Sequence, residues 1–319
     1  MVPDPIIVTE NLGKRYGSVS ALQALSIHVP QAAVGLLGPN GAGKSTLIKL
    51  LLGLEHPSTG QATILGIDIE RDPVALRRHV GYMPESDCLP PDVTASDFVS
   101  HMAEMSGLPA REARLRAAET LYQCGIDEER YRLLREFSTG MKQRVKLAQT
   151  IVHDPDLVFL DEPTNGLDPA GRDDMLALIE RIHRQIGITV ILSSHLLEDI
   201  ERVCDFVVML NDGRLVTAGQ IENLTAGTGT LVVDVDGDAD RFVDRLRVAG
   251  LSVHHDGREV FVNRMDDTAF DVIRDAAADL DLPLRSLRVA ARTLEEIYIQ
   301  QIEGRAEIVM EDTGVRPVR

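Results

Sequence analysis

The nine residues GPNGAGKST, Gly38 to Thr46, constrain this chain more than any other stretch. The pattern G-x-x-x-x-G-K-[ST] makes chemical sense as a loop whose backbone N–H groups turn inward around phosphate oxygens, with glycines permitting the turns. Gly38, Pro39, Asn40, Gly41, Ala42 and Gly43 form the cradle, and Lys44 reaches the β and γ oxygens. Ser45 and Thr46 open a helix whose N-terminus favours anions, and the Ser45 hydroxyl takes a Mg2+ position. Such a loop has to leave a buried strand and enter a helix. The flanking VGLL and LIKLLLGL fit those roles, so the chain is read as α/β, built on a parallel sheet covered on both faces.

Two further apolar runs end in chemistry. LVFLDE, Leu157 to Glu162, closes a buried strand with two acids; beside a phosphate loop, Asp161 steadies Mg2+ and Glu162 polarises the attacking water as general base. Taken alone, the same pair would only cap the following turn. ITVILSSH delivers His195 to the same C-terminal sheet edge, where a neutral imidazole can hydrogen-bond a γ-phosphate or the water. Tyr16, in LGKRYGSVSAL, can stack on a nucleobase, although in isolation a surface or core tyrosine is the better reading. REFSTGMKQR supplies a second anion-shaped turn, with Ser138 at a helix start; by itself it is an ordinary N-cap with Lys142 and Arg144 in solvent.

Residues 1–224 alternate β-rich and helical stretches, with a helical subdomain over about 87–150. LNDGRLVTAG predicts a hairpin through Asp212-Gly213, and TAGTGT reads as a linker. Residues 225–303 then follow the order strand, helix, hairpin, helix, strand, which predicts a small α+β, ferredoxin-like domain with a terminal helix at TLEEIYIQQI. The polar tail 304–319 is expected to be disordered. His254 and His255 fall in the hairpin of this domain and receive no role. Cys88, Cys124 and Cys204 lack ligand spacing and are read as packing residues of a protein in a reducing compartment.

A net charge of −17 disfavours a nucleic-acid partner. No apolar run is long enough for a membrane span, and the start lacks a signal-peptide pattern, so a cytoplasmic location is expected.

In this order, the motifs resemble the ATP-binding cassette (ABC) transporter family from residue 6 to about 224. The resemblance implies a P-loop NTPase core with an antiparallel β and a helical subdomain, binding ATP and Mg2+. It makes Tyr16 the adenine platform, puts Glu85 at a position where the family usually has Gln, and makes Ser138–Arg144 the signature turn and His195 the switch. Asp168, in GLDP, is expected at a subunit interface. Ser138 and Gly140 would face ATP held on an opposing P-loop, so the implied partners are a second copy or a paired ATPase subunit. An integral membrane permease would hold the pair at the cytoplasmic face of the membrane.

Glu85 lacks the amide donor but can still accept from water or approach Mg2+; Thr139 stands where the family usually has Gly, restricting the backbone beside Ser138. These variants, with the C-terminal domain and its TLEEIYIQ ending, resemble the ATPase subunits of ABC-2-type exporters. An importer ATPase with a regulatory C-terminal domain, or a soluble non-transport ATPase, are the alternatives. Phe98, Met102 and Met105 are candidate permease contacts, or else core residues.

Overall fold

The computed structural model describes residues 5–226, 230–263, 267–290 and 293–301; the expected tail 304–319 lies outside them. They divide into two compact units, the first reaching to Ile221 and the second spanning Glu222–Gln300.

In the first unit, β1 (Ile7–Tyr16), β2 (Val19–Val29) and β3 (Val34–Leu37) lead through the glycine-rich loop into α1 (Lys44–Leu51). Next come β4 (Thr59–Ile64), β5 (Ile67–Asp68), α2 (Pro73–His79), β6 (Val80–Met83), α3 (Ala95–Met105), α4 (Ala110–Gln123) and α5 (Thr139–Ile151). The unit closes with β7 (Leu157–Asp161), α6 (Pro169–Arg181), β8 (Thr189–Ser194), α7 (Leu197–Val203), β9 (Phe206–Asn211) and β10 (Arg214–Gln220).

One sheet has the order β10-β9-β3-β8-β7-β6, parallel except at β10. Every residue of β3, β7 and β8 is buried, as continuous apolar strands require when both faces are covered. The second sheet, β2-β1-β4-β5, is antiparallel. Leu47, Ile48, Leu50 and Leu51 of α1 share one buried cluster with Ile7 and Ile27 from that sheet and Phe159 and Ile191 from the first. The apolar face of the helix is covered by both sheets while Lys49 stays in solvent, and the packing fixes the start of α1 at the end of β3. Asp212 (φ 47°) and Gly213 (φ 72°) form the β9–β10 hairpin, both left-handed as a type I′ turn requires.

α3 starts on Thr94, whose hydroxyl accepts from the Asp97 N–H at 3.1 Å. It packs on α4 through small residues, Ala103, Ala113 and Ala117 all being buried. Phe98 and Met102 are half-buried and Met105 is exposed. Cys124 and Cys204 are buried, and burial pushes the Cys124 thiol up to about 12. Cys88 departs from the expected packing role: it is exposed in the loop after β6, where Asp87, Pro90 and Pro91 favour an excursion into solvent.

His153, just after α5, has Nε2 3.3 Å from the Val80 carbonyl, and burial depresses its pKa. Protonation is therefore harder in the folded state than in the unfolded state. The stability linked to this ring is fully present above its ordinary pKa of about 6.5 and is lost as pH falls through the depressed value. Between about pH 7 and 5 the native chain should lose more of its urea midpoint than His153→Gln, which carries no titrating ring.

The division between the units falls within α8 (Ile221–Thr225), and the second unit starts at Glu222. It runs β11 (Leu231–Val235), α9 (Ala239–Val248), β12 (Val253–Asp256), β13 (Glu259–Val262), α10 (Asp267–Asp279) and β14 (Leu284–Val289), with a last helix over 294–301. The sheet order is β12-β13-β11-β14, with antiparallel pairings, the arrangement of a split βαβ fold. Phe242, Leu246, Ile273 and Ala276 pack from the helices onto Leu231, Val233, Val260 and Val262. His254 stacks on Phe261 with centroids 4.8 Å apart, and His255 Nε2 lies 3.0 Å from Asp240.

Candidate functional site

α1 begins where Gly43 adopts φ 102°, and a Cβ at that position would come 2.7 Å from the Ala21 carbonyl oxygen. Glycine is therefore needed both for the left-handed turn and for the close approach of β2. No side chain caps α1, so its first N–H groups keep their donors for a ligand. The Lys44 ammonium is buried; it donates to the Gly38 carbonyl at 2.7 Å and lies 3.6 Å from Glu162 Oε1.

Opposite, β7 and β8 run parallel with Asp161 paired to Ser193. That register lets Ser193 Oγ donate to Asp161 Oδ1 at 2.5 Å, fixing one carboxylate oxygen. The next backbone N–H, of Glu162, donates to the Ser193 carbonyl at 3.2 Å and lies 3.3 Å from its Oγ. Glu162 has φ 50°, a left-handed conformation unusual for a non-glycine residue, and it turns the side chain off the strand axis. Its Oε2 meets His195 Nδ1 at 2.9 Å. The carboxylate thus stands between an ammonium and an imidazole.

Glu85, after β6, accepts from Asn165 Nδ2 at 3.1 Å, and the Asn165 carbonyl accepts from Gln143 Nε2 of α5 at 3.2 Å. The buried Lys146 of α5 donates to the Glu85 carbonyl at 3.1 Å, and burial lowers its pKa. Burial, then the negative charge of Asp161, pushes the Tyr82 phenol up to about 12.

An open cavity of about 660 Å³ is lined by Ala21, by Glu85, Asp161, Glu162, Asn165 and His195, and by the loop from Pro39 to Thr46 except Ala42. The Ser45 hydroxyl and the Asp161 carboxylate offer hard oxygen donors, a set that suits Mg2+ completed by phosphate oxygens.

Tyr16 is not part of this lining. It is 44% exposed, its hydroxyl donates to Glu55, and Lys14 Nζ lies 5.1 Å from its ring centroid. Burial and then the Glu55 contact raise its pKa, and the side chain of Thr46 at the end of the loop acts in the opposite sense. Ser138, Gly140 and Asp168 are also outside the lining. Ser138 caps α5, accepting from the Met141 N–H at 3.3 Å, and Asp168 caps α6, accepting from the Gly171 N–H at 3.1 Å. A Cβ built at Gly166 would meet Thr139 Cγ2 at 3.6 Å, so the two capping loops are neighbours. Sequence reasoning missed Ser193, Asn165, Gln143 and Lys146. Only Ser193 and Asn165 carried a signal, as polar residues within three positions of His195 and Glu162.

The family model described as ABC transporter matches residues 22–165. The daunorubicin/doxorubicin resistance ATP-binding protein DrrA of Streptomyces peucetius is 32% identical over 306 residues, covering 93% of this chain and 92% of its own. The linearmycin resistance ATP-binding protein LnrL of Bacillus subtilis is 30% identical over 304 residues, covering 92% and 97%. Among solved structures, cbiO1 from Clostridium perfringens, part of the ABC transporter complex cbiONQ, aligns with a TM-score of 0.64 at 29% identity, over 70% of this chain and 91% of that one.

Proposed function

The chain belongs to the ATP-binding subunits of ABC transporters, and from that premise we propose that it powers ABC-2-type export, closing as a dimer on ATP beneath a separate membrane permease. It binds and hydrolyses ATP. The observation that carries the export reading is the reach of its likeness to resistance proteins. An alignment over 93% of the chain runs past Ile221 into the second unit, so the accessory unit is shared along with the ATPase.

In this reading the β- and γ-phosphates enter at the N-terminus of α1, and Lys44 turns from the Gly38 carbonyl to their oxygens. Glu162, released from Lys44, accepts a proton from the water that attacks the γ-phosphorus, while the bond to the β–γ bridging oxygen breaks to leave ADP. His195 holds the Glu162 carboxylate in line, and Glu85 orients water through the oxygen that Asn165 leaves free. Ser45 and Asp161, with Glu85 nearby, would hold Mg2+, which when bound neutralises charge developing on the phosphates.

Ser138, Gly140 and Asp168 stand outside their own cavity, which supports a role toward ATP on a second copy. ATP then favours the closed pair because its γ-phosphate bridges both chains, and hydrolysis releases it. Met105, exposed at the end of α3, is the candidate contact to the permease.

No helix among the described residues is long and apolar enough to cross a membrane. Attachment through a permease therefore makes a direct test: in cells producing the chain and its permease, it should sediment with membranes and copurify with a multispanning protein after detergent extraction. Recovery wholly in the supernatant would overturn the transport reading.

A further inference from the structure

Asp199, in the first turn of α7, is fully buried. A buried carboxylate is tolerated only when its oxygens are met by donors, and here the donors come from three separate segments, the turn after β7, α6 and the end of β8. Arg172 Nε lies 2.5 Å from Oδ1, Thr164 Oγ1 donates to Oδ2 at 2.7 Å, and Ser194 Oγ approaches Oδ2 at 3.5 Å. Arg172 is held outside the pair as well, its Nη2 lying 3.1 Å from Glu198.

Thr164 and Ser194 sit next to groups of the hydrolytic site and Arg172 near Asp168, and none of the three lines the cavity. Thr164 is two residues after Glu162, in the turn that also carries Asn165. Ser194 precedes His195, and its Oγ also accepts from the Leu196 N–H at 3.0 Å, so the backbone on both sides of the histidine is anchored. The Arg172 N–H closes the first turn of α6 onto the Asp168 carbonyl at 2.9 Å. One carboxylate thereby fixes the segments bearing the general base, the histidine that meets it at 2.9 Å, and the aspartate outside the cavity.

We propose that Asp199 is a positioning residue for ATP hydrolysis, registering the Glu162 turn, the His195 turn and the start of α6 against one another so that the acid–imidazole pair is aligned. This rests on Glu162 being the general base. The hydrogen bonds of Asp199 go to Thr164, Arg172 and Ser194 and that of Lys44 to Gly38, so nucleotide binding is left to Lys44 and α1 while turnover depends on the registry.

Asp199→Asn keeps an acceptor for Thr164 and removes the charge facing Arg172. It should lower kcat about 10²-fold, while the Kd of a fluorescent ATP analogue changes by less than about twofold; Asp199→Glu should restore part of the rate. In a Glu162→Gln background, adding Asp199→Asn should lower the residual single-turnover rate no further, because the group it aligns is already gone. Should Asp199→Asn fail to fold, Thr164→Val leaves the ion pair and cuts only the tether to the Glu162 turn. Its melting temperature should drop, because Oδ2 loses its close donor, and at a temperature where it stays folded its kcat should fall about tenfold with analogue affinity unchanged.

A native kcat in the variant that folds, a parallel loss of affinity and rate, or a full extra loss in the Glu162→Gln background would each overturn the proposal. The two readings fail separately. Full turnover in Glu162→Gln alone removes the general base, whereas full turnover in Asp199→Asn beside a dead Glu162→Gln removes only the positioning role.

Discussion

Glu162→Gln should bind ATP at least as tightly as the native chain, turn it over about 10²- to 10⁴-fold more slowly, and elute as a dimer in Mg-ATP. The amide has the shape of the carboxylate, so the left-handed backbone at φ 50° and the contact to His195 Nδ1 can both persist. What disappears is the proton acceptor for the attacking water. A negative charge facing the γ-phosphate also goes, together with its 3.6 Å attraction for Lys44, which frees the ammonium for phosphate oxygens. With hydrolysis blocked, the closed pair has no exit and accumulates. Light scattering on the eluting species checks the mass, and a phosphate-release assay checks the rate. A variant that stays monomeric when saturated with ATP overturns closure as the consequence of binding.

The parts of the site that sequence disclosed are those whose chemistry is local to one segment. Gly38 to Thr46 carries its own explanation, because glycines spaced this way before Lys44 and Ser45 let successive N–H groups turn toward one point. The unbroken apolar runs ending at Asp161 and Ser194 likewise announced strands buried on both faces. The Asp212-Gly213 hairpin was legible because a type I′ turn demands left-handed conformations that this pair tolerates. In the second unit, the order strand, helix, hairpin, helix, strand foretold the βαββαβ path.

What stayed hidden depends on which segments become neighbours. Ser193 reaches Asp161 because β8 lies beside β7 in one register, and a slip of one residue would have turned the hydroxyl to the other face. The links from Glu85 to Asn165 and on to Gln143 span three separated segments, and Asp199 gathers donors from the Asn165 turn and two more. No periodicity encodes such meetings. Cys88 was misread for a related reason: composition makes cysteine a buried residue on average, but the loop after β6 gives this one no layer to pack under.

Mixing two inactive variants should restore activity. Lys44→Ala removes the phosphate-gripping ammonium, and Ser138→Arg fills the turn that stands outside its own cavity, so each homodimer carries one lesion in both composite sites. In a mixed dimer the lesions segregate. One site collects both, and the other pairs an intact loop with an intact Ser138 turn. With random exchange half the dimers are mixed, and sites that fire independently should recover about one quarter of the native rate per chain.

Putting both lesions in one chain and mixing it with the native protein distinguishes this from chains that act alone. Mixed dimers then hold one lesion in each site and are silent, and the remaining native pairs again give about one quarter, where self-sufficient chains would give about one half. Subunit exchange followed by a steady-state ATPase assay reads both mixtures. Rates near zero for the first and one half for the second would mean that each polypeptide hydrolyses ATP with its own residues. The near-contact of Thr139 with Gly166 would then be no more than packing between two helix caps.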